Sequence, residues 1–316
     1  MNMLPILLKR EFWEHRKTFF YLPLIILVLS AFFLIAVVGS VQIAGGDIIV
    51  SGSVQMNEEG LHHRSETNEY SNMPVNALFG EQVSQFALLA EDQRERMLNS
   101  AYLLIATPLV PVLWVVVFMY FLTCLYDERK DRSILFWKSM PVSDAMTVIA
   151  KLMTGLVVVP AIYFMAMMLL QLILFLTTVV VALGYSVDTW QTFVVPANIM
   201  TRWLQMTAFF VFVASWCLPF FAWLIFVSSW ARSVPLAWVI GIPILLVMLE
   251  ALFTQGEWLR VFIKEHSFPG GLISRLAGGV GDMFQQLLSV EFLVSLVLAV
   301  LLLYGAVYFR GKADEL

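Results

Sequence analysis

Charge is scarce in this chain. Of its 316 residues only 13% are Asp, Glu, Lys or Arg, against about 25% in soluble domains. Hydrophobic residues make up 60% and the mean hydropathy is +0.83, which excludes an ordinary soluble globular protein. The net charge of -4 comes without a basic stripe or recognition motif outside the apolar runs, so nucleic acid is not an expected partner. There are only two cysteines, Cys124 and Cys217, both inside apolar runs. Two isolated thiols build neither a zinc cage nor a disulfide framework, and here they serve as small hydrophobes. A phosphate-binding loop is also missing. Gly270-Gly271 and Gly278-Gly279 open no helix after a strand, and Gly311-Lys312 has no upstream glycine at the required spacing. No cofactor and no metal is expected in this chain.

What the chain has instead is long apolar runs. Six can be drawn, at 19–38, 101–125, 152–183, 203–230, 234–253 and 292–309, each near or above the roughly 20 residues that cross a 30 Å hydrocarbon core. The first is too long for a cleaved signal, whose apolar stretch covers about 7–15 residues, and is expected to be retained. The third is long enough to require a tilt, a kink at Pro160 or an extension beyond the bilayer. Pro108, Pro111, Pro219 and Pro243 offer further kinks. Lysine and arginine concentrate in the N-terminal tail, in 127–151, at Arg232 and at Arg310 and Lys312. If the spans alternate, these all share one side, which the positive-inside rule makes cytosolic, with both termini there.

The expected fold class is therefore an all-α integral membrane protein, one transmembrane domain over 1–316, with four additional pieces. Residues 2–18 mix Leu4, Leu7, Leu8, Phe12 and Trp13 with Lys9, Arg10, Glu11, Arg16 and Lys17, which suits an interfacial elbow helix. The extracytoplasmic loop 40–100 is acidic and ends in a stretch, 83–98, that predicts an amphipathic helix. The segment 126–151 is a charged, tryptophan-bearing island between two spans. The loop 256–290 is outside yet too apolar for water, with Trp258, Phe262, Phe268 and Ile273 among glycines, and predicts a re-entrant hairpin packed on protein.

Enzyme chemistry would need titratable groups meeting in a shielded pocket, and the spans provide almost none. Glu250, near the outer end of the fifth span, is the clear intramembrane charge; it fits a pathway contact or a carboxylate that bridges helices. His62 and His63 are adjacent, so they point apart and make a poor metal pair. Phe209, Trp216, Trp223 and Trp230 repeat every seven residues down the fourth span. That stripe suits lipid or helix packing as well as a wall lining a pathway.

The island at 126–151 carries Ile134, Leu135, Phe136, Trp137 and Met140 beside Arg129, Arg132, Lys138 and Asp144, an apolar knob with a polar rim. Asp127-Glu128-Arg129, Arg132-Ser133, then Trp137-Lys138-Ser139-Met140-Pro141-Val142-Ser143 and Lys151 closely resemble the cytosolic coupling segment of ABC-2 type permeases, the membrane subunits of bacterial ABC exporters. In its usual form that segment has an acidic pair, a small Gly-Thr, a short amphipathic helix, Pro-Val-Ser, and a lysine heading the next span. Here Arg132-Ser133 stands in place of Gly-Thr. Six spans, an elbow helix, a loop after the first span and an apolar hairpin before the last extend the resemblance along the chain.

The resemblance implies a transporter subunit rather than an enzyme, placed in the bacterial inner membrane. It implies pairing with a second copy or a sibling permease around a pathway, with two cytosolic ATPase chains carrying ATP and magnesium. The docking residues it implies are Arg132, Ser133, Ile134, Leu135, Phe136, Trp137, Lys138, Ser139, Met140, Pro141, Val142, Ser143 and Asp144. A secondary transporter or channel, a membrane-embedded enzyme, and a force-transmitting subunit without cargo remain open alternatives at this point.

Overall fold

The structure is a computed structural model that describes residues 3–44, 49–55, 67–139, 142–185, 187–253, 256–267 and 280–312. The described residues are dominated by helices. Five helical stretches are long and apolar enough to cross a membrane, Lys17–Ser40, Glu91–Lys130, Asp144–Ala182, Pro235–Phe253 and Val290–Gly311. A sixth candidate, Trp190–Trp216 with Leu218–Trp230, is bent by 50°. The chain is a helical, multi-pass membrane protein. One two-stranded antiparallel hairpin, β1 (Ile49–Gln55) and β2 (Thr67–Pro74), departs from the all-α expectation; it pairs Val54 with Asn68 and Gly52 with Tyr70. Alternation of Val50, Gly52 and Val54 with polar neighbours is the two-residue period of a strand, on a stretch too short to stand out from its Gly- and Ser-rich surroundings.

Chain contacts divide the molecule into two compact units. The first comprises Met1–Pro23, Leu109–Met165 and Met200–Leu316. It begins with α1 (Leu4–Glu14), followed by a π turn over Lys17–Tyr21 that enters α2 (Leu22–Ala44). The second unit comprises Leu24–Pro108 and Ala166–Ile199. It holds the rest of α2, the hairpin, α3 (Val75–Leu88) and α4 (Glu91–Ala106). The single amphipathic helix expected over 83–98 is instead broken between α3 and α4, where Ala90 is extended and the acids Glu91 and Asp92 start the new helix. Returning to the first unit, the chain forms α5 (Leu109–Thr123), α6 (Tyr126–Lys130), α7 (Ser133–Lys138) and α8 (Asp144–Met153), which leads into α9 (Val159–Ala182).

After α10 (Val195–Ala197) come α11 (Ile199–Trp216), α12 (Leu218–Trp230), α13 (Pro235–Phe253), α14 (Trp258–Ser267), α15 (Val280–Leu287) and α16 (Val290–Gly311). The hairpin expected over 256–290 thus contains two short helices, and its middle, 268–279, lies outside the described residues. In the first unit α12 and α16 pack most closely. Ser295, Ala299 and Ala306 are buried along α16, and a Cβ on Gly305 would come within 2.7 Å of the Phe226 ring. Small residues let helix backbones approach where no hydrophobic driving force separates protein from lipid. In the second unit Val83, Leu98, Tyr102, Ala182, Phe193 and Ala197 form an apolar cluster, with Phe86 stacked on Phe193 at 5.1 Å.

Prolines shape the spans by a repeated device. π turns at Lys17–Tyr21, Thr154–Val158 and Trp190–Val194 each end two residues before a proline, Pro23, Pro160 or Pro196. The proline ring would strike the carbonyl four residues back and cannot donate to it. Widening the preceding turn to an i→i+5 bond, as from Val159 N–H to the Thr154 carbonyl, moves the conflict aside without ending the helix.

Candidate functional site

The island between the second and third spans folds as two short helices on a fixed base. Ser228 Oγ accepts from the backbone N–H groups of Leu125 and Tyr126, both at 3.0 Å, and so satisfies donors at the start of α6. Arg129 replies by donating to the carbonyls of Ser228 (2.7 Å) and Ala231 (2.8 Å) at the end of α12. Arg129 is therefore a helix cap rather than part of a polar docking rim. Arg132 then turns the chain with φ 57° and ψ 12°, the left-handed region that glycine enters without cost.

The six residues of α7 are sorted into two faces. Ile134 is buried, at 5% exposure, and Trp137 turns inward beneath the Arg10 guanidinium, 3.8 Å from its ring centroid. Leu135 and Phe136 stand out at 59% and 58% exposure. The apolar knob is thus narrower than the sequence led us to expect. Lys138 donates from Nζ to the Gly311 carbonyl at 2.9 Å, and Asp144 faces Arg310, so of the expected rim Arg132 is the residue that stands exposed. Ser133 Oγ donates to the Glu128 carbonyl (3.3 Å), and Ser139 is exposed. Met140 and Pro141 lie outside the described residues. Val142 leads to Ser143, whose Oγ accepts from Met146 N–H at 3.2 Å and caps α8.

Behind this helix is a buried ion network that pattern reading did not assemble. Glu11 of α1 is 1% exposed and Lys151 of α8 is 2% exposed. Lys151 Nζ lies 3.0 Å from Glu11 Oε1 and 3.1 Å from Glu128 Oε1. Arg10 reaches the same two oxygens at 2.6 and 2.9 Å, and Tyr120 donates to Glu11 Oε2 at 2.9 Å. Arg310, at the end of α16, lies 3.3 Å from both Glu128 Oε2 and Asp144 Oδ1. Three carboxylates (Glu11, Glu128, Asp144) thus meet three cations (Arg10, Lys151, Arg310), and the buried charges are compensated. The sequence did hold a signal: Glu11 follows Leu4, Leu7 and Leu8 at helical spacing, on the face that should be apolar.

The network and burial shift two titratable groups of α1 and its C-cap. Burial alone would raise the Glu11 carboxyl, but the Lys151 and Arg10 charges and the hydrogen bonds from Lys151 and Tyr120 outweigh it and hold the group below its ordinary value. Burial lowers His15 against the pull of Glu11 and Glu14. Its ring lies 5.3 Å from those of Phe19 and Tyr120. Glu11, Glu14 and His15 place potential metal donors within 4.8 Å of one another. Glu11 already serves two cations there, which oppose a third.

The residues considered for a pathway are dispersed. The bend at Cys217 breaks the seven-residue stripe, so Phe209 and Trp216 belong to α11 while Trp223 and Trp230 belong to α12. Trp216 is buried and stacks on His266 at 4.9 Å, and His266 stacks on Phe262 at 4.2 Å. Trp223 is half-buried and donates from Nε1 to the Val239 carbonyl. Both carboxylate oxygens of Glu250 accept from Leu259 N–H at 3.0 Å, so Glu250 joins α13 to the N-terminus of α14. A cleft of about 630 Å³ in the second unit is lined by Phe175, Leu183 and Trp190, and one of about 360 Å³ in the first by Trp258, Phe262 and Val294. None of the four pathway candidates lines either. His62 and His63 lie outside the described residues.

No family model, curated protein or solved structure matches this chain.

Proposed function

We propose that the protein is the membrane subunit of an ATP-driven exporter, an ABC-2 type permease that docks a separate ATPase chain through the exposed face of α7. The observation that carries this reading is the pairing of Leu135 and Phe136, exposed side by side on a six-residue helix whose other face is held by buried charges. A helix this short does not persist by itself. Here its outward apolar pair is kept rigid, which suits a surface that receives force. The left-handed Arg132 at the family's glycine position and the Ser143 cap from Pro-Val-Ser add local support.

In this reading α7 faces the cytosol of a bacterium, with both termini on the same side of the inner membrane, as the basic residues around 127–151 indicate. The permease pairs with a second copy or a sibling around the pathway. Two ATPase chains, binding ATP and magnesium, close against α7 and turn the spans as rigid bodies. Extraction in a mild detergent followed by subunit analysis tests the proposal. An ATPase chain is expected to co-purify with the wild-type protein and to be lost from a folded Leu135→Glu/Phe136→Glu variant. Equal capture by both proteins would reject the docking role and leave α7 as a membrane-surface anchor.

A further inference from the structure

We infer that α7 is clamped from both ends of the chain, by α1 through Arg10 and by α16 through Arg310 and the Gly311 carbonyl. The consequence for load on α7 rests on the docking reading above; the clamp itself rests on geometry alone. Three observations converge on it.

First, Arg10 does two things at once. One nitrogen binds Glu11 and Glu128, while the guanidinium plane covers Trp137 at 3.8 Å. Lysine could supply the charge but not the flat stacking face. Second, Arg310 closes the base of the loop. Glu128 precedes α7 and Asp144 follows it, and one guanidinium lies 3.3 Å from a carboxylate oxygen of each. Third, the next residue, Gly311, accepts the Lys138 amine at 2.9 Å. The N-terminal helix thus holds the inner face of α7, and the C-terminal helix holds its far end and its flanks.

This geometry changes where a push on α7 would go. Lys151 ties the network to α8, which runs into the third span. α1 leads through Lys17–Tyr21 into the first span, and α16 is itself the last. Displacing α7 therefore loads the first, third and last spans together. α1 and α16 act as positioning elements for the docking face.

Amide hydrogen exchange on the intact protein in detergent tests this without a partner. Arg10→Lys keeps the charge in the network and removes the stacking surface. It is expected to speed exchange across residues 133–139 by about threefold, the scale of one exposed cation–π contact, with α12 unchanged. Arg310→Lys is expected to speed the same residues further, because Arg310 reaches Glu128 through Nη1 and Asp144 through Nε, and a single ammonium does not reproduce two separated nitrogens. Should Arg310→Lys fail to fold, Lys138→Met supplies the second arm by removing the amine that bonds Gly311 while leaving Arg310 in place. Exchange across 133–139 equal to wild type in Arg10→Lys and in the second variant would overturn the clamp. Faster exchange in a protein that captures no ATPase chain would keep the clamp and remove the docking reading.

Discussion

Two buried regions of this protein solve the same problem with opposite chemistry. In the second unit Val83, Leu98, Tyr102, Phe193 and Ala197 exclude solvent with apolar surface, which is non-directional and tolerant of small rearrangement. In the first unit Glu11, Glu128, Lys151 and Arg310 are equally buried, but each is acceptable only while its partners remain within ion-pairing distance. The apolar region should lose stability in proportion to what is removed. The ionic region should fail when any one member is withdrawn, which makes it the better place to fix a single geometry.

Lys151→Met is the most direct way to break this comparison. It leaves Glu11 and Glu128 facing each other with less compensation, and we expect a loss of about 3–5 kcal/mol in stability, read from thermal unfolding in detergent. Phe193→Leu, a near volume-conserving change in the apolar region, is expected to cost below about 1.5 kcal/mol. Equal shifts for the two variants would show that the contrast has no energetic content. Adding Glu128→Gln to Lys151→Met should recover part of the loss, because it removes one of the stranded carboxylates.

A second, smaller effect comes from the helix junction next to the network. A Cβ on Gly155 would lie 2.2 Å from the Phe121 ring, and this glycine sits in the π turn that precedes Pro160. Gly155→Ala is expected to cost about 1–3 kcal/mol by overpacking, and shortening the neighbour with Phe121→Leu should relieve it. Relief by the second change would place the cost in packing; persistence would place it in the backbone of the turn.

Much of the fold was legible because its causes are local. Apolar runs long enough for a bilayer marked the first, fifth and last spans to within two residues, while the helices of the second and third begin well before their apolar runs, at Glu91 and Asp144; the mixed pattern at 2–18 marked α1. The broken fourth span was harder. Pro219 was visible, but a proline kinks, ends or begins a helix according to its neighbours, and here it sits in the first turn of a new helix after Cys217. In the candidate site, the charge and aromatic content of 126–151 could be seen, but its sorting into faces could not. Trp137 turns inward because of Arg10, more than a hundred residues away, and Arg129 caps a helix end supplied by Ser228 and Ala231. Long-range partners are a property of tertiary packing, which no window along the chain contains.

The pH response sharpens the contrast between the regions, since only the ionic one titrates. For Glu11 the folded value is lowered, so its contribution is complete above the ordinary carboxylate range near 4.3 and fades as pH falls through the lowered value. For His15 burial favours the neutral ring, so its contribution is complete above about pH 6.5 and is lost as pH falls below it. Both signs agree: acid should destabilise the protein, beginning just under pH 6.5. His15→Phe is expected to remove that first step and leave the steeper one at lower pH, as followed by unfolding temperature against pH. An unchanged first step would place its origin in another group.

The smallest expected effect separates local strain from the network that surrounds it. Arg132 is exposed, and its backbone lies at φ 57°, a region that costs an L-residue about 1 kcal/mol relative to glycine. Arg132→Gly relieves that conformation but also gives the unfolded chain more freedom, so the net gain should stay below about 1 kcal/mol. Arg132→Ala keeps the strain and deletes the same side chain. A gain in Arg132→Gly without one in Arg132→Ala assigns the effect to the backbone, and the fixed entry into α7 then belongs to the buried charges beneath it. A gain in both variants would instead show that the guanidinium itself is unfavourable at that turn.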